Sequence, residues 1–152
     1  GTSDYIGEVV GALRVADTAI FTLNAEYGVE VGTELHWQYT RKYNIPSLII
    51  VNKPDHEFSK FQRTVDMAKE RLGRGVVVVQ YPLSEGDDFR AIIDVLKMTM
   101  YEFPKEGGKP KKLPIPDSEQ DRADMLHNEL VEAVAENDEK LLDLYLEQGE
   151  LN

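Results

Sequence analysis

Two apolar stretches on either side of an amphipathic segment constrain the fold of this chain more than any other feature. The stretches AIFTL (19–23) and SLIIV (47–51) are short and rich in β-branched side chains, which is typical of buried strands. Between them, residues 30–43 have apolar side chains at helical spacing, and we expect that helix to stop at Asn44, before Pro46. Strand, helix and strand in this order predict a βαβ unit with parallel strands and a right-handed crossover.

Further helices are predicted on both sides of this unit. Residues 4–14 have an apolar stripe, and Asp4 is placed to cap the helix by accepting hydrogen bonds from its first N–H groups. Residues 57–72 form the other predicted helix, and Gly73 ends it. Its inward face is predicted to consist of Phe58, Phe61, Val65, Ala68 and Leu72.

The pattern changes near residue 74. Three strands joined by short turns are predicted at 76–83, 89–96 and 97–103, with a turn cluster at 84–88. The Pro-, Gly- and Lys-rich segment 104–112 is expected to be a mobile loop, and two helices are expected at 118–136 and 138–147. The chain is therefore predicted to contain a parallel α/β part, residues 1–73, and a small α+β part, residues 74–152.

The composition excludes several functional classes. The 152 residues contain no cysteine, which excludes disulfide scaffolds, thiolate zinc sites and thiol catalysis and fits the reducing cytoplasm. No apolar run approaches the roughly 18 residues of a membrane-spanning helix, so no membrane partner is predicted. The three histidines are not at metal-ligand spacing, and no metal site is predicted.

The negative charge is concentrated at the end of the chain. Residues 117–152 contain 12 acidic residues and only two basic ones, Arg122 and Lys140. Free nucleic acid is not an expected partner of this region, because its phosphates would be repelled. Two interpretations stay open: a solvated acidic helix surface, or a docking face for a basic protein.

The motif with the clearest chemistry is Asn52-Lys53-Pro54-Asp55, directly after the second predicted strand. Ligands of open α/β sheets bind at the carboxyl ends of the strands. N-K-x-D is the guanine-specificity box of GTP-binding proteins: Asp55 can accept hydrogen bonds from the ring N–H and the exocyclic amine of guanine, Lys53 can cover the base, and Asn52 can brace the loop. The alternative is a polar turn at the end of a strand.

A GTP site also needs a phosphate loop, G-x-x-x-x-G-K-[ST], and this sequence contains none. Its one Gly-Lys pair, Gly108-Lys109, precedes Pro110, so no hydroxyl for Mg²⁺ follows it. The chain therefore has the base-reading half of a site without the phosphate-holding half. We expect these residues alone to bind no GTP and to show no GTPase activity.

Six segments together cover most of the chain: DYIGEVVGALRVADTAI (4–20), AEYGVEVGTELHWQY (25–39), IPSLIIVNKPD (45–55), VVVVQYPLSEGDDFRAIIDVLKMTMYEF (76–103), PIPDS (114–118) and LVEAVAENDEKLLDLYLEQGEL (130–151). They resemble bacterial elongation factor G, a translational GTPase, and the resemblance covers essentially the whole chain. The resemblance implies a partial P-loop-GTPase-type parallel sheet with helices, followed by a small α+β insert subdomain. Residues 1–73 would run from switch II to the helix after the guanine box, and residues 74–152 would be part of the insert.

The resemblance also implies a function. The chain would be an internal piece of a larger cytoplasmic factor that binds GTP with Mg²⁺ and acts on the ribosome in translocation. The insert would meet the ribosomal stalk protein.

Two residues at the start carry further expectations. By resemblance, Gly1 is the glycine of D-x-x-G, whose N–H senses the terminal phosphate, and Thr2 occupies the position of the catalytic histidine. Threonine has no imidazole to position the attacking water, which predicts weak hydrolysis. Three hypotheses stay open: a hydrolysing factor, a GTP-binding ribosome effector with little hydrolysis, and a nucleotide-free interaction module. It also stays open whether Gly1–Ser3 are a cloning remnant.

Overall fold

The computed structural model describes residues 5–136. The elements are α1 (Ile6–Leu13), β1 (Ala19–Asn24), α2 (Val31–Lys42), β2 (Ser47–Asn52), α3 (Phe61–Leu72), β3 (Gln80–Pro82), a 3₁₀ helix (Gly86–Asp88), β4 (Ala91–Asp94), β5 (Thr99–Glu102), β6 (Lys111–Leu113) and α4 (Asp117–Ala135). They belong to two compact units. The first is Gly1–Arg74 with Glu85–Asp87, and the second is Gly75–Ser84 with Asp88–Asn152.

The βαβ unit is confirmed. β1 and β2 are parallel, with α2 between them in the chain, and their register runs from Ala19 opposite Ser47 to Asn24 opposite Asn52. The prediction that the strands are buried is correct for Leu23 alone, because the other residues of β1 and all residues of β2 are half-buried or exposed. Leu23 is 2% exposed, whereas Ile20 is 63% and Leu48 is 49% exposed. Side chains alternate between the two faces of a strand, and the face of Ile20 and Leu48 is open in the described part of the chain.

The two flanking helices begin later than predicted. α1 begins at Ile6 with Tyr5 as its N-cap residue, and Asp4 lies outside the described residues. α3 begins at Phe61 rather than at residue 57, because residues 53–60 form turns in which His56 N–H donates to the Lys53 carbonyl. Phe58 is 55% exposed, so its predicted inward position is wrong. The other predicted inward residues of α3 are buried: Phe61, Val65, Ala68 and Leu72.

The second unit contains an antiparallel sheet in the order β3-β4-β5-β6. The first predicted strand, 76–83, is reduced to β3. The mobile loop predicted at 104–112 is wrong at its end, because β6 pairs with β5, placing Lys111 opposite Glu102 and Lys112 opposite Tyr101. The lysine-rich composition of this segment is typical of a loop, but lysines are also common on edge strands that face solvent.

α4 covers nearly the range predicted for the first acidic helix, and the helix predicted at 138–147 lies outside the described residues. The Tyr81 side chain of β3 is 1% exposed, and its hydroxyl donates to Glu119 Oε2 of α4 at 3.2 Å. The Arg122 guanidinium lies 4.3 Å from the centre of the Tyr81 ring. Burial and the neighbouring Glu119 raise the pKa of Tyr81 to about 12. No helix within residues 5–136 is both long enough and apolar enough to cross a membrane.

Candidate functional site

β1 and β2 end at the same edge of the parallel sheet, so the loops that follow them begin side by side. Asn24 and Asn52 form the last pair of the register, and Ala25 N–H donates to the Asn52 carbonyl at 3.0 Å. In an open α/β sheet this carboxyl edge is where ligands bind. The N-K-x-D box predicted from the sequence therefore starts at the expected edge.

The side chains of the box face solvent. Asn52, Lys53 and Asp55 are exposed, and Pro54 is half-buried. Lys53 has φ 62°, a left-handed conformation that costs a non-glycine residue about 1–2 kcal/mol. Such a conformation persists only where the surroundings hold it. The box is thus a fixed turn that leaves its three polar side chains free to meet a ligand.

The loop after β1 lies next to this turn and is held by hydrogen bonds of its own. The Asn24 side chain accepts a hydrogen bond from Glu26 N–H at 2.9 Å, and Gly28 N–H donates to the Asn24 carbonyl at 2.8 Å. Gly28 has φ +70°, a conformation that favours glycine, and a Cβ placed on it would lie 2.6 Å from the Met67 sulfur, so the Met67 side chain would have to move. Sequence reasoning assigned no role to Asn24, although an Asn at the end of a strand is a common turn former.

The same loop is also attached to α3. The Ala25 carbonyl accepts hydrogen bonds from Lys60 N–H at 3.0 Å and from the buried Thr64 hydroxyl at 3.2 Å. His56 Nδ1 lies 3.7 Å from Glu26 Oε2. The loops after β1 and β2 are therefore joined to one another and to the start of α3.

A segment distant in sequence completes the surroundings of the box. Gly86 N–H donates to the Pro54 carbonyl at 2.8 Å. Glu85 Oε2 accepts hydrogen bonds from Phe61 N–H at 2.7 Å and from the Ser59 hydroxyl. The sequence predicts residues 84–88 only as a turn between strands, so this contact was missed. No local pattern reveals it, because the partners are more than 20 residues apart.

The remaining candidate site residues precede the described part of the chain. Gly1 and Thr2 lie outside residues 5–136. Within that range no three histidine, aspartate or glutamate residues are grouped to hold a metal ion. A cavity of about 520 Å³ lies elsewhere in the first unit, along β1 between α1 and α2, and is lined by residues such as Val9, Phe21 and His36. Burial lowers the pKa of His36.

Comparison with known proteins points to one family. The model of the elongation factor Tu GTP binding domain matches residues 1–150. Elongation factor G of Mycoplasma pneumoniae is 39% identical over 155 residues, which cover 100% of this chain and 22% of that protein. Elongation factor G of Mycoplasma genitalium is 39% identical over 150 residues, with 97% of this chain and 22% of that protein covered.

A solved structure agrees with these matches. The crystal structure of ttk003000868 from Thermus thermophilus has a TM-score of 0.86 and 32% sequence identity, over 100% of this chain and 22% of that one. The chain thus spans about a fifth of the length of the relatives it matches.

Proposed function

This chain belongs to the family of the elongation factor Tu GTP-binding domain, and we propose that its protein is an elongation-factor-G-like GTPase that acts on the ribosome in translocation, in the cytoplasm. The observation that carries the proposal is the N-K-x-D box, presented with exposed side chains at the carboxyl edge of a parallel sheet. Its support from relatives is the 39% identity to proteins named elongation factor G. On this proposal residues 1–73 are part of the GTPase domain, and residues 74–152 are part of its insert.

On this proposal the box binds a guanine base. The Asp55 carboxylate is a double acceptor for the ring N–H and the exocyclic amine, a pair of donors that adenine does not have. The aliphatic stem of Lys53 covers the base, and Asn52 braces the loop from the last position of β2. Mg²⁺, when bound, neutralises the phosphate charge. In this sequence only Gly1, through its N–H, is proposed to contact the terminal phosphate.

The test is the base specificity of the full natural gene product. Asp55→Asn replaces one acceptor by an amide donor, which suits the 2-carbonyl of xanthine instead of the amine of guanine. We expect GDP affinity to fall about 100-fold, because one hydrogen bond to the carboxylate is lost and the other no longer has a charged acceptor, and we expect XDP affinity to rise. Glu57→Gln, which neutralises an exposed carboxylate in the same loop, is the matched control and should change neither affinity. If Asp55→Asn binds GDP as tightly as the wild type does, the proposal is contradicted.

Thr2 favours a second candidate function, a GTP-binding ribosome effector with little hydrolysis. The proposed position of Thr2 is that of the water-positioning histidine, and a hydroxyl is a poor substitute for an imidazole. We expect little ribosome-stimulated GTP hydrolysis by the full gene product and restored turnover in Thr2→His. Turnover as fast as in an ordinary translocation factor contradicts this candidate and favours the first. A protein that binds no nucleotide at all would instead be an interaction module.

We also propose that α4 contributes to a surface for the ribosomal stalk protein. Its exposed side carries acidic side chains at spacings of one or two helical turns: Asp117, Asp121, Asp124 and Glu132. Binding through such a stripe should weaken with salt, because exposed charges are screened over about 10 Å at 0.1 M.

Charge reversal tests this surface. Asp121→Lys with Asp124→Lys should weaken stalk-protein binding by the full gene product and flatten its salt dependence. The control, Asp17→Lys with Glu106→Lys, makes the same change of net charge at exposed positions outside α4. If both pairs weaken binding equally, net charge rather than the α4 stripe is responsible.

A further inference from the structure

We propose that Glu85 is a positioning residue for the guanine box: its carboxylate fixes the chain on the C-terminal side of Asp55, and the neighbouring Gly86 fixes the N-terminal side. This inference rests on the proposed function, since it concerns how the same box binds guanine. Glu85 belongs to a segment, Glu85–Asp87, that groups with the first unit although its neighbours in the chain belong to the second.

The segment is attached to the box at two points. On the N-terminal side of Asp55, Gly86 N–H donates to the Pro54 carbonyl at 2.8 Å. On the C-terminal side, Glu85 Oε2 accepts hydrogen bonds from the Ser59 hydroxyl and from Phe61 N–H. Asp55 therefore lies in a short span of chain that is fixed at both ends by two adjacent residues.

The C-terminal attachment replaces a missing local cap. The N-cap position of α3 is Lys60, which makes no capping hydrogen bond through its side chain. Lysine has no acceptor, and its positive charge is unfavourable at the positive end of the helix dipole. The Glu85 carboxylate supplies both the acceptor and the negative charge that this helix end needs. Glu85 therefore caps the start of α3, beside the hydrogen bonds that Lys60 N–H and the Thr64 hydroxyl donate to the Ala25 carbonyl.

The N-terminal attachment depends on close approach of two backbones. Gly86 is buried and has φ +69°, a conformation that glycine adopts without strain. A Cβ at this position would lie 3.7 Å from Glu57 Cα and 3.8 Å from the His56 carbonyl oxygen. The segment therefore lies directly against the residues that follow Asp55.

The turn around Asp55 is closed by His56 N–H, which donates to the Lys53 carbonyl, but no contact among the described residues restrains the Asp55 side chain. Its side chain is exposed, and it takes part in none of the hydrogen bonds or ion pairs found within residues 5–136. Its direction is thus set by the backbone on either side. A pair of hydrogen bonds to guanine is sensitive to such a direction, because both donors must be met at once.

Comparing GDP with IDP isolates this effect, because hypoxanthine lacks the exocyclic amine and so lacks one of the two donors. In the full natural gene product, Glu85→Ala should weaken GDP binding about tenfold, the size expected for one hydrogen bond to a charged group. It should weaken IDP binding less, so that the preference for GDP over IDP falls about threefold, the effect of a partly misaligned Asp55. If Glu85 only stabilised the fold, Glu85→Ala would lower the affinities for GDP and IDP by the same factor.

Two further variants and one hydrogen-exchange measurement test whether the effect comes from the Glu85 hydrogen bonds. Glu85→Gln keeps an oxygen acceptor and should restore most of the GDP preference, and Asp87→Ala, which removes an exposed carboxylate from the same segment, should leave both affinities unchanged. Amide hydrogen exchange of the Glu85→Ala protein should be faster in residues 54–61 and unchanged in β2. This result also shows that the variant is folded.

The outcomes separate this inference from the proposed function. An unchanged GDP preference in Glu85→Ala, or an equal loss for GDP and IDP, overturns the role of Glu85 while the guanine site stands. Wild-type protein that binds neither nucleotide overturns the proposed function, and this inference with it.

Discussion

In the first unit, the loops that carry the candidate site are joined by hydrogen bonds, several of them between backbone groups, whereas in the second unit the sheet and α4 are joined by buried side chains. The site loops meet through pairs such as Ala25 with Asn52 and Gly86 with Pro54. The second unit instead buries Tyr81 and Ile93 almost completely. A scaffold built from backbone contacts leaves its side chains available for a ligand, and one built from side chains depends on their shape.

The largest expected effect of this difference comes from truncating one apolar side chain in each sheet. Ile93 in β4 is 0% exposed, and Ile93→Ala should lower the free energy of unfolding by about 3–4 kcal/mol through lost burial and the cavity left behind. Leu48 in β2 is 49% exposed, and Leu48→Ala should cost less than about 1 kcal/mol. Urea unfolding followed by circular dichroism measures both. If the two variants lose the same free energy of unfolding, the open face of β1 and β2 is as well packed as the second sheet.

The same variants can show whether the two units unfold together. Trp37 is the only tryptophan, and it lies in α2 with its ring centre 5.4 Å from that of Phe21 in β1. Its fluorescence therefore reports on the first unit. If the units are independent, Ile93→Ala should move the circular dichroism transition and leave the Trp37 transition in place. A single shifted transition by both probes would indicate one cooperative unit.

A second comparison tests the backbone scaffold with glycines. Gly28→Ala should destabilise the chain by about 2 kcal/mol, because Gly28 has a positive φ and a Cβ would meet the Met67 sulfur. Gly11→Ala is the control, since Gly11 lies in α1 with nothing within 4 Å of an added Cβ. That change should raise the free energy of unfolding by about 0.5–1 kcal/mol. Thermal unfolding of both variants checks the prediction, which fails if Gly28→Ala is neutral.

The sequence pattern was informative where structure is local and uninformative where it is not. The βαβ unit follows from apolar spacing within single elements, and the box follows from four residues at a strand end. The start of α3 was misplaced because Phe58 continues the apolar spacing of the helix, while the cap that fixes its true start, Glu85, is 24 residues beyond Phe61. β6 was missed because its strand character comes from pairing with β5 and not from its own composition.

A smaller effect is expected from a single hydroxyl in the second unit. Tyr81→Phe removes the hydrogen bond to Glu119 and leaves the ring in place, so the free energy of unfolding should fall by about 1.5 kcal/mol at neutral pH. The variant Tyr101→Phe, at a half-buried position in β5, is the control and should change little. Equal effects of the two substitutions would remove the Tyr81–Glu119 contact as the cause.

Tyr81 should also make stability depend on alkaline pH. Its pKa is raised from 10.0 to about 12 in the folded chain, so the unfolded chain loses this proton first. The stabilisation is complete below pH 10 and is lost as the pH rises from 10 through 12. Unfolding measured between about pH 9 and pH 12 should show a steeper loss for the wild type than for Tyr81→Phe. If the free energy of unfolding falls equally with pH in the wild type and in Tyr81→Phe, Tyr81 is not the group responsible.

The smallest expected effect is the binding of GTP by a polypeptide of only these 152 residues, where calorimetry with micromolar GTP should show no heat above dilution. The box supplies contacts to the base alone, at about 1.5–3 kcal/mol for each hydrogen bond to the Asp55 carboxylate. Even about 5 kcal/mol of net binding corresponds to a dissociation constant no better than roughly 0.2 mM. Most of the affinity for a triphosphate comes from N–H groups, a lysine and Mg²⁺ around the phosphates, and the sequence has no phosphate loop to provide them. Micromolar GTP binding would mean that other loops of the first unit hold the phosphates. The first unit would then contain a complete nucleotide site, and not only its base-binding half.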